Sequence, residues 1–280
     1  MKKFLSRLLR LLSKSWGGIL PIPFPHEDLV RYLLRICPPP INDELKKSLA
    51  DMRQDVLYKR IPENLLGRDA LWKLLKEYEF YSVLDLGAGT GGHSRVFHDN
   101  GKLITAIVAY DFHQFDEDLK GKVTLIQDDY SNHQFEQKFD LIWASHMLEH
   151  VRNIGLLLDK INSDLKDEGI LALSVPFMEP VAGGGHCNFF GPGQAIYHLL
   201  ESGFDLSDMR LKVDGYNMSI ICRKNEKFKP HDANFALLLA NYKERLPDYV
   251  WREVERLIEK KKKTGDPYYE RIPLSLTYKW

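Results

Sequence analysis

Residues 83–92 read VLDLGAGTGG, and the prediction of the fold starts from this stretch. It places an apolar run with one carboxylate directly before a turn that has four glycines in six residues. Glycine allows a tight bend and lets a ligand approach the backbone, while the amides at the start of a helix donate hydrogen bonds to that ligand. Because a helical pattern follows, the stretch predicts a strand, a ligand-binding turn and a helix, which together open an α/β sheet.

Further strands are predicted beyond this unit, because short β-rich runs alternate with helix-length segments. The predicted strands are 82–86, 103–110, 123–127, 139–144 and 169–175, followed by a hairpin of 211–214 and 218–223. Strands separated by helices imply crossover connections and a mostly parallel sheet. The sequence therefore predicts a Rossmann-like, doubly wound sheet of seven strands, with the functional residues just after the strand ends.

The composition is that of a chain that buries a core: 280 residues, 44% hydrophobic and 28% charged. Its 39 basic residues balance 39 acidic ones, which argues against a nucleic-acid binder with a uniformly basic surface. Three cysteines match no disulfide framework or zinc motif, so we expect a reducing compartment. The predicted divisions are a helix at 1–16, a helical extension at 17–80, the α/β domain at 81–225 and a second helical extension at 226–280.

The helix at 1–16 is basic and amphipathic. On a helical period one face carries Leu5, Leu8, Leu9, Leu12 and Trp16, and the other carries Lys3, Arg7, Arg10 and Lys14. Such a helix is typical of a segment that lies on an anionic membrane surface, and also of one docked on its own domain or on a partner. No run of about 18 apolar residues is present. We therefore expect a cytoplasmic protein with peripheral contact to the inner face of the cell membrane.

The ligand of the glycine turn is not decided by the turn alone. Gly87, Gly89 and Gly92 also fit the dinucleotide spacing G-x-G-x-x-G. Asp111 follows the second strand, where a carboxylate accepts both hydrogen bonds of a ribose diol, and this suits either kind of cofactor. On these residues a nicotinamide-dependent dehydrogenase stays an alternative.

Four further blocks, taken in order with 83–91, resemble the class I S-adenosylmethionine-dependent methyltransferases, in particular methyltransferase type 11. They are Asp111, Asp128-Asp129, 139–151 around strand four and 165–171 before strand five. The Pro-Gly-Gly usual in the last block is replaced by Asp167-Glu168-Gly169. The resemblance covers roughly half of the chain and implies methyl transfer with S-adenosylmethionine as the cofactor.

The resemblance also assigns parts of the cofactor to residues of this chain. It implies that the methionine moiety lies on the glycine turn, the ribose on Asp111, and the adenine amine on Asp129 with Tyr130 beside the ring. The full set of expected cofactor-binding residues is Asp85, Gly87, Gly89, Gly91, Asp111, Asp129, Tyr130 and Ser145.

Two histidines are the candidate catalytic residues. A hydroxyl acceptor must lose its proton, and histidine accepts protons near neutral pH. His150 follows strand four, and His186 lies in the glycine-rich loop after strand five, which we expect to act as a mobile lid. Phe189 and Phe190 beside it are expected to stack on an acceptor ring. The alternatives are that His150 only supports its loop and that the phenylalanines pack on the helix predicted at 194–202.

A divalent metal is a further alternative at the end of strand four. His146, Glu149 and His150 share one helical face. Quinone-biosynthetic methyltransferases of the resembled superfamily have a related metal-binding arrangement, with a carboxylate at the position of His146. This chain keeps a single hard oxygen ligand there, which argues against magnesium. The sequence therefore predicts no metal, with these three residues as the set to test.

We expect an O-methyltransferase that acts on a hydroxyl, favouring a sugar of a surface glycan or of its lipid-linked precursor, because helix 1–16 brings the chain to the membrane where glycans are assembled. A small molecule such as a quinone is the alternative acceptor, and a catalytically silent cofactor-binding scaffold is the alternative class. Residues 144–147 read ASHM in place of the Asn-Pro-Pro-Tyr of nucleic-acid amine methylation, so no nucleic-acid partner is expected. The sequence leaves open whether the chain forms a homo-oligomer.

Overall fold

The computed structural model describes residues 57–109, 114–177, 184–228, 244–248, 251–252, 255–256, 259 and 277–278. The helix predicted at 1–16, most of both helical extensions and Asp111 lie outside these residues. By its internal contacts the chain divides into Met1–Tyr58 and Lys59–Trp280, and the elements named below belong to the second unit. Among the described helices none is long and apolar enough to cross a lipid bilayer.

Strands and α-helices alternate in much of the described chain, as the sequence predicts, but no α-helix is described between the second and third strands or between the third and fourth. In order, the elements are α1 (Arg68–Glu77), β1 (Ser82–Leu86), α2 (Gly92–Asp99), β2 (Leu103–Val108), β3 (Thr124–Gln127), β4 (Phe139–Ser145), α3 (Ile154–Asp164), β5 (Leu165–Pro176), α4 (Pro192–Glu201), β6 (Phe204–Asp214), β7 (Asn217–Lys224) and β8 (Thr277–Tyr278). Two single-turn 3₁₀ helices, Glu117–Leu119 and Leu148–His150, follow β2 and β4.

The described strands form one mixed sheet in the order β3-β2-β1-β4-β5-β7-β6-β8. The first five strands in this order run parallel, and β7, β6 and β8 each run antiparallel to their neighbours. This confirms the predicted doubly wound sheet and its closing hairpin. β8 is an additional edge strand that the sequence did not predict, since two residues are too few to show an alternating pattern.

Helices cover both faces of the sheet. Consecutive side chains of each strand point to opposite faces, so apolar residues on both faces need helices to bury them. In β4, Leu141 and Trp143 pack with α1 and α2, whereas Ile142 and Ala144 pack with α3 and α4. Trp143 is fully buried, and its ring lies 5.9 Å from that of Phe97 between centroids. Burial on both faces explains why the central strands are continuous apolar runs in the sequence.

The carboxyl ends of the parallel strands meet at one edge of the sheet, which we call the upper edge. It is formed by the segments that follow β1, β2, β4 and β5. β7 runs antiparallel beside β5, with Asn217 opposite Pro176, so the turn between β6 and β7 lies at the upper edge as well. Residues far apart in the sequence thus meet where open α/β sheets bind their ligands.

Candidate functional site

The glycine turn after β1 has a backbone geometry that favours glycine. Gly87, Gly89 and Gly91 have φ values of 70°, 53° and 86°, which lie in the left-handed region. A Cβ at Gly91 would lie 2.9 Å from Cε2 of Phe115, and one at Gly87 would lie 3.1 Å from Cγ of Met147. At Gly89 the nearest such atom is 4.0 Å away, so the turn is open to a ligand on that side.

Asp85 is a buried carboxylate on β1, and only 1% of it is exposed. Ser94 donates a hydrogen bond from Oγ to its Oδ2 at 2.6 Å. Burial raises the pKa of Asp85, against the opposing effects of nearby His93 and of the Ser94 hydrogen bond. His93 is held in turn by Leu66, whose carbonyl oxygen lies 2.8 Å from Nε2. The turn therefore follows directly on a poorly solvated acidic group.

These features fit S-adenosylmethionine. The open glycine turn admits a ligand close to the backbone, and the amides at the start of α2 provide donors for its carboxylate. The poorly solvated carboxylate of Asp85 complements a cationic cofactor, because a charge pair interacts more strongly away from bulk water. The residues present thus suit the methionine end of the cofactor.

The two residues expected at the adenine lie after β3 and differ in exposure. Asp129 is exposed, and its Oδ1 accepts a hydrogen bond from the backbone N–H of Ser131 at 2.9 Å. Tyr130 is only 4% exposed, and its hydroxyl donates to Oδ2 of Asp164 at 2.8 Å. Burial raises the pKa of Tyr130, so the phenol keeps its proton. The adenine contacts of both residues stay predictions, as does the ribose contact of Asp111 outside the described residues.

The segment before α1 borders the same edge. Ser145, the last residue of β4, has its Oγ 3.5 Å from the carbonyl oxygen of Leu66. Gly67 has a φ of 68°, and a Cβ there would lie 3.0 Å from Cβ of Ser174 on β5. The chain therefore passes close to the ends of β4 and β5 before it enters α1. The cofactor contact expected for Ser145 stays a prediction.

The segment after β4 begins with a histidine in an uncommon conformation. His146 has a φ of 52°, which is rare for a residue with a side chain. Its ring stacks on that of Tyr216, with centroids 5.5 Å apart and planes inclined by 22°. Its Nε2 lies 2.7 Å from Oδ1 of Asn217, and its Nδ1 lies 3.3 Å from Oε1 of Glu149. The β6–β7 turn thus holds this imidazole at the upper edge.

Glu149 is buried, with 1% exposed, and neither carboxylate oxygen has a hydrogen-bond partner among the described residues. Buried polar groups are nearly always hydrogen-bonded, so a carboxylate that has the His146 Nδ1 at 3.3 Å but no hydrogen-bond donor in the described part of the chain is unusual for a purely structural position. Its backbone carbonyl accepts hydrogen bonds from the N–H groups of Cys187 at 2.8 Å and Asn188 at 3.1 Å. These bonds tie the loop after β5 to the 3₁₀ helix after β4.

This tie places His186 next to His150. Their ring centroids are 4.9 Å apart, and the ring planes are inclined by 74°. One ligand-type atom from each of Glu149, His150 and His186 lies within 4.8 Å of the others. The structure therefore brings the two predicted catalytic histidines together. The cluster also differs from the set of three residues predicted for a metal. His186 takes the place of His146, and His146 lies beside Glu149 instead.

The aromatic rings near the loop differ from the expectation. Phe190 is 2% exposed and packs in the core with α4, so the prediction that it faces an acceptor is wrong. Phe189 is 40% exposed and Tyr216 is 45% exposed. Tyr216 and Asn217 were not predicted as site residues, although a hairpin that closes the sheet beside β5 must turn at the upper edge.

Comparison with known proteins agrees with the geometry. A family described as a methyltransferase domain matches residues 27–212. The (S)-coclaurine N-methyltransferase of Papaver somniferum is 31% identical to this chain over 98 residues, which are 32% of this chain and 28% of that protein. The chain thus spans little more than a quarter of the length of this curated relative.

Two solved structures are similar to parts of this chain. An S-adenosylmethionine-dependent methyltransferase from Clostridium acetobutylicum has a TM-score of 0.48 and 11% identity, over 64% of this chain and 99% of that one. A SAM-dependent methyltransferase from Archaeoglobus fulgidus has a TM-score of 0.46 and 17% identity, over 61% of this chain and 94% of that one.

The family match covers about two thirds of the sequence, and the chain therefore belongs to the methyltransferase domain family. Its α/β unit is a methyltransferase domain, and S-adenosylmethionine is the cofactor that the glycine turn and Asp85 fit.

Proposed function

We propose that the protein is an O-methyltransferase that methylates a hydroxyl, with a sugar of a surface glycan or of a lipid-linked glycan as the favoured acceptor. The observation that carries the proposal is the cluster of Glu149, His150 and His186 at the upper edge. Met147 connects it to the cofactor turn, because Met147 packs on Gly87 and immediately precedes the 3₁₀ helix of the cluster.

The chain has two tasks in such a reaction. Bound S-adenosylmethionine supplies an electrophilic methyl group, whose bond to sulfur breaks, leaving the electron pair on sulfur, as the bond to the acceptor oxygen forms. The upper edge must hold the acceptor in line and within attack distance. It must also help the hydroxyl to release its proton, and His150 and His186 are the residues proposed to activate it.

Support for a sugar acceptor comes from the exposed rings of Tyr216 and Phe189, because the apolar face of a sugar stacks on an aromatic ring. Tyr216 lies against His146, so a ring stacked there is held beside the segment that carries Glu149 and His150. The basic helix predicted at 1–16, outside the described residues, supports delivery to a membrane where lipid-linked glycans are found.

The test is transfer of a labelled methyl group from S-adenosylmethionine into a fractionated cell extract. We expect label in the polysaccharide or lipid-linked glycan fraction, and this label should survive mild alkali, which removes esters but not methyl ethers. A Gly87→Ala variant run in parallel should incorporate much less label. Label confined to another fraction overturns the acceptor assignment. No incorporation in any fraction favours a silent cofactor-binding scaffold and overturns the proposal.

A small-molecule acceptor is the second candidate. It is favoured by the partial similarity to (S)-coclaurine N-methyltransferase, whose name describes methylation of a small molecule at nitrogen. The same labelling experiment distinguishes the two, because a small-molecule product is separated from glycans by size.

A further inference from the structure

We infer that Glu149, His150 and His186 bind a divalent transition-metal cation at the upper edge. The inference deepens the proposed function. Binding of the cation does not depend on that function, and only the role of the cation in the reaction rests on it. The three ligands come from two elements: Glu149 and His150 belong to the 3₁₀ helix after β4, and His186 belongs to the loop after β5.

The buried carboxylate of Glu149 is the first observation behind the inference. Only 1% of Glu149 is exposed, and neither of its oxygens has a hydrogen-bond partner among the described residues. The basic side chain at its Oε1 is His146, whose Nδ1 is 3.3 Å away while its Nε2 is engaged with Asn217. Burying a carboxylate that has no hydrogen bonds is costly unless a positive charge lies beside it. A cation held by the cluster provides that counter-charge.

The spacing of the ligand atoms is the second observation. One atom from each of the three side chains lies within 4.8 Å of the others. Around a tetrahedral cation with bonds of about 2.0–2.1 Å, ligand atoms are about 3.4 Å apart. Rotation of His150, which is exposed, and of His186, which is half-buried, can close this difference while Glu149 stays in place.

The loop that carries His186 is already held in position. The N–H groups of Cys187 and Asn188 donate to the carbonyl oxygen of Glu149 at 2.8 and 3.1 Å. The loop therefore stays beside the 3₁₀ helix without relying on a metal. This preorganisation brings two elements of the upper edge to one cation.

The donor set indicates which cations the site prefers. One carboxylate and two imidazoles are typical ligands of zinc and of neighbouring transition metals, whereas magnesium and calcium prefer sites built from oxygen atoms. Three protein ligands leave a coordination position for the acceptor. A cation held there would lower the pKa of the acceptor hydroxyl, and the hydroxyl proton would pass to water. His150 and His186 would then activate the acceptor as ligands of the cation rather than as bases that take its proton.

Metal binding is tested on the full-length protein after dialysis against a chelator. We expect one equivalent of Co²⁺ to bind, with a visible absorption spectrum, and Zn²⁺ to displace it in calorimetric titration. Binding of Mg²⁺ should be at least 100-fold weaker. His186→Ala and Glu149→Gln should each weaken Zn²⁺ binding at least tenfold. His98→Ala is the matched control, because this histidine lies 3.2 Å from Asp99 at the carboxyl end of α2, outside the cluster, and the variant should bind Zn²⁺ like the wild type.

A thermal readout separates metal binding from a folding defect. Zn²⁺ should raise the Tm of the wild type but not that of Glu149→Gln, which keeps the side-chain shape and should unfold cooperatively without metal. Absence of stoichiometric binding overturns the inference, as does wild-type affinity in His186→Ala or Glu149→Gln.

An activity measurement distinguishes the inference from the proposed function. Methyl transfer by the chelator-treated enzyme should fall at least tenfold and recover when Zn²⁺ or Mn²⁺ is added. Metal binding with no change in rate overturns the role of the cation and leaves the methyl transfer intact. Metal binding without any transfer to oxygen overturns the proposed function and leaves the metal site intact.

Discussion

Met147 packs directly against Gly87: its Cγ lies 3.1 Å from the point that a Cβ at Gly87 would occupy. Gly87 begins the cofactor turn, and Met147 stands between His146 and the 3₁₀ helix that carries the Glu149 and His150 side chains. The glycine turn proposed to bind the cofactor and the segment proposed to hold the acceptor are therefore in contact through these two residues. A change at either one should be felt on both sides.

Replacing Gly87 by alanine tests this contact. The added methyl group displaces Met147, and the φ of 70° costs an alanine about 1 kcal/mol. We expect affinity for S-adenosylhomocysteine to fall at least tenfold in calorimetric titration. Gly101→Ala is the control, since Gly101 has a φ of 73° with no atom within 4 Å of an added Cβ. Gly101→Ala should lower the free energy of unfolding by a similar amount and keep the affinity for S-adenosylhomocysteine. Equal losses of affinity in both variants would contradict a role for the contact between Gly87 and Met147.

Replacing Asp85 by asparagine should separate stability from cofactor binding. Asparagine still accepts the hydrogen bond from Ser94 but carries no charge. We expect the variant to be at least as stable as the wild type at pH 7 in denaturant titration, because a buried charge is removed. Its affinity for the cofactor should fall at least tenfold. A variant that binds the cofactor like the wild type contradicts the role given to Asp85.

The pH dependence of stability tests the effect of burial on Asp85. Burial raises the pKa of Asp85 above its ordinary value of 3.8, so the folded state holds that proton more tightly than the unfolded state. The contribution of Asp85 to stability therefore falls as pH rises from about 4 through the raised pKa. The difference in unfolding free energy between Asp85→Asn and the wild type should grow over this range, and a constant difference contradicts the burial effect.

Replacing His186 by alanine tests activation of the acceptor. We expect turnover to fall roughly 100-fold, with affinity for S-adenosylhomocysteine nearly unchanged, because the imidazole lies on the acceptor side of the site. His98→Ala, a histidine substitution at the carboxyl end of α2 and outside the cluster, should leave turnover unaffected. A wild-type rate in His186→Ala removes this residue from the mechanism.

Deleting residues 1–16 tests the predicted membrane contact. The full chain should sediment with vesicles of anionic phospholipid and less with neutral ones, because its lysines and arginines are attracted to anionic headgroups. The shortened chain should stay in the supernatant with both. Unaltered partitioning after the deletion refutes a membrane role for this helix.

The sheet was largely predictable because its strands are local patterns. β1 begins and ends where the apolar run predicts, at Ser82 and Leu86. β6 begins at Phe204, seven residues before the predicted start, because the register shifts between Asp205 and Arg210 and the alternation of side chains is broken there. Local periodicity therefore predicts regular strands and misses irregular ones.

The geometry of the glycine turn was predictable for the same reason, since its glycines lie close together in the chain. The proposed acceptor side was predictable only in part, because its residues come together through tertiary packing. The sequence identifies His150 and His186 but does not show that hydrogen bonds to the Glu149 carbonyl bring their loops together. It likewise does not show which of Phe189 and Phe190 is buried, as neighbouring residues in a loop have no fixed facing.

Methylation of a hydroxyl is tested by identifying the atom that receives the methyl group. The enzyme is incubated with S-adenosylmethionine carrying a ¹³C-labelled methyl group and with the extract fraction that takes up label, and the product is examined by ¹³C NMR. We predict a methyl carbon bonded to oxygen in an ether, with the signal reduced roughly 100-fold in His186→Ala. A methyl carbon bonded to nitrogen, or an ether signal of equal size in that variant, would contradict hydroxyl methylation at this cluster.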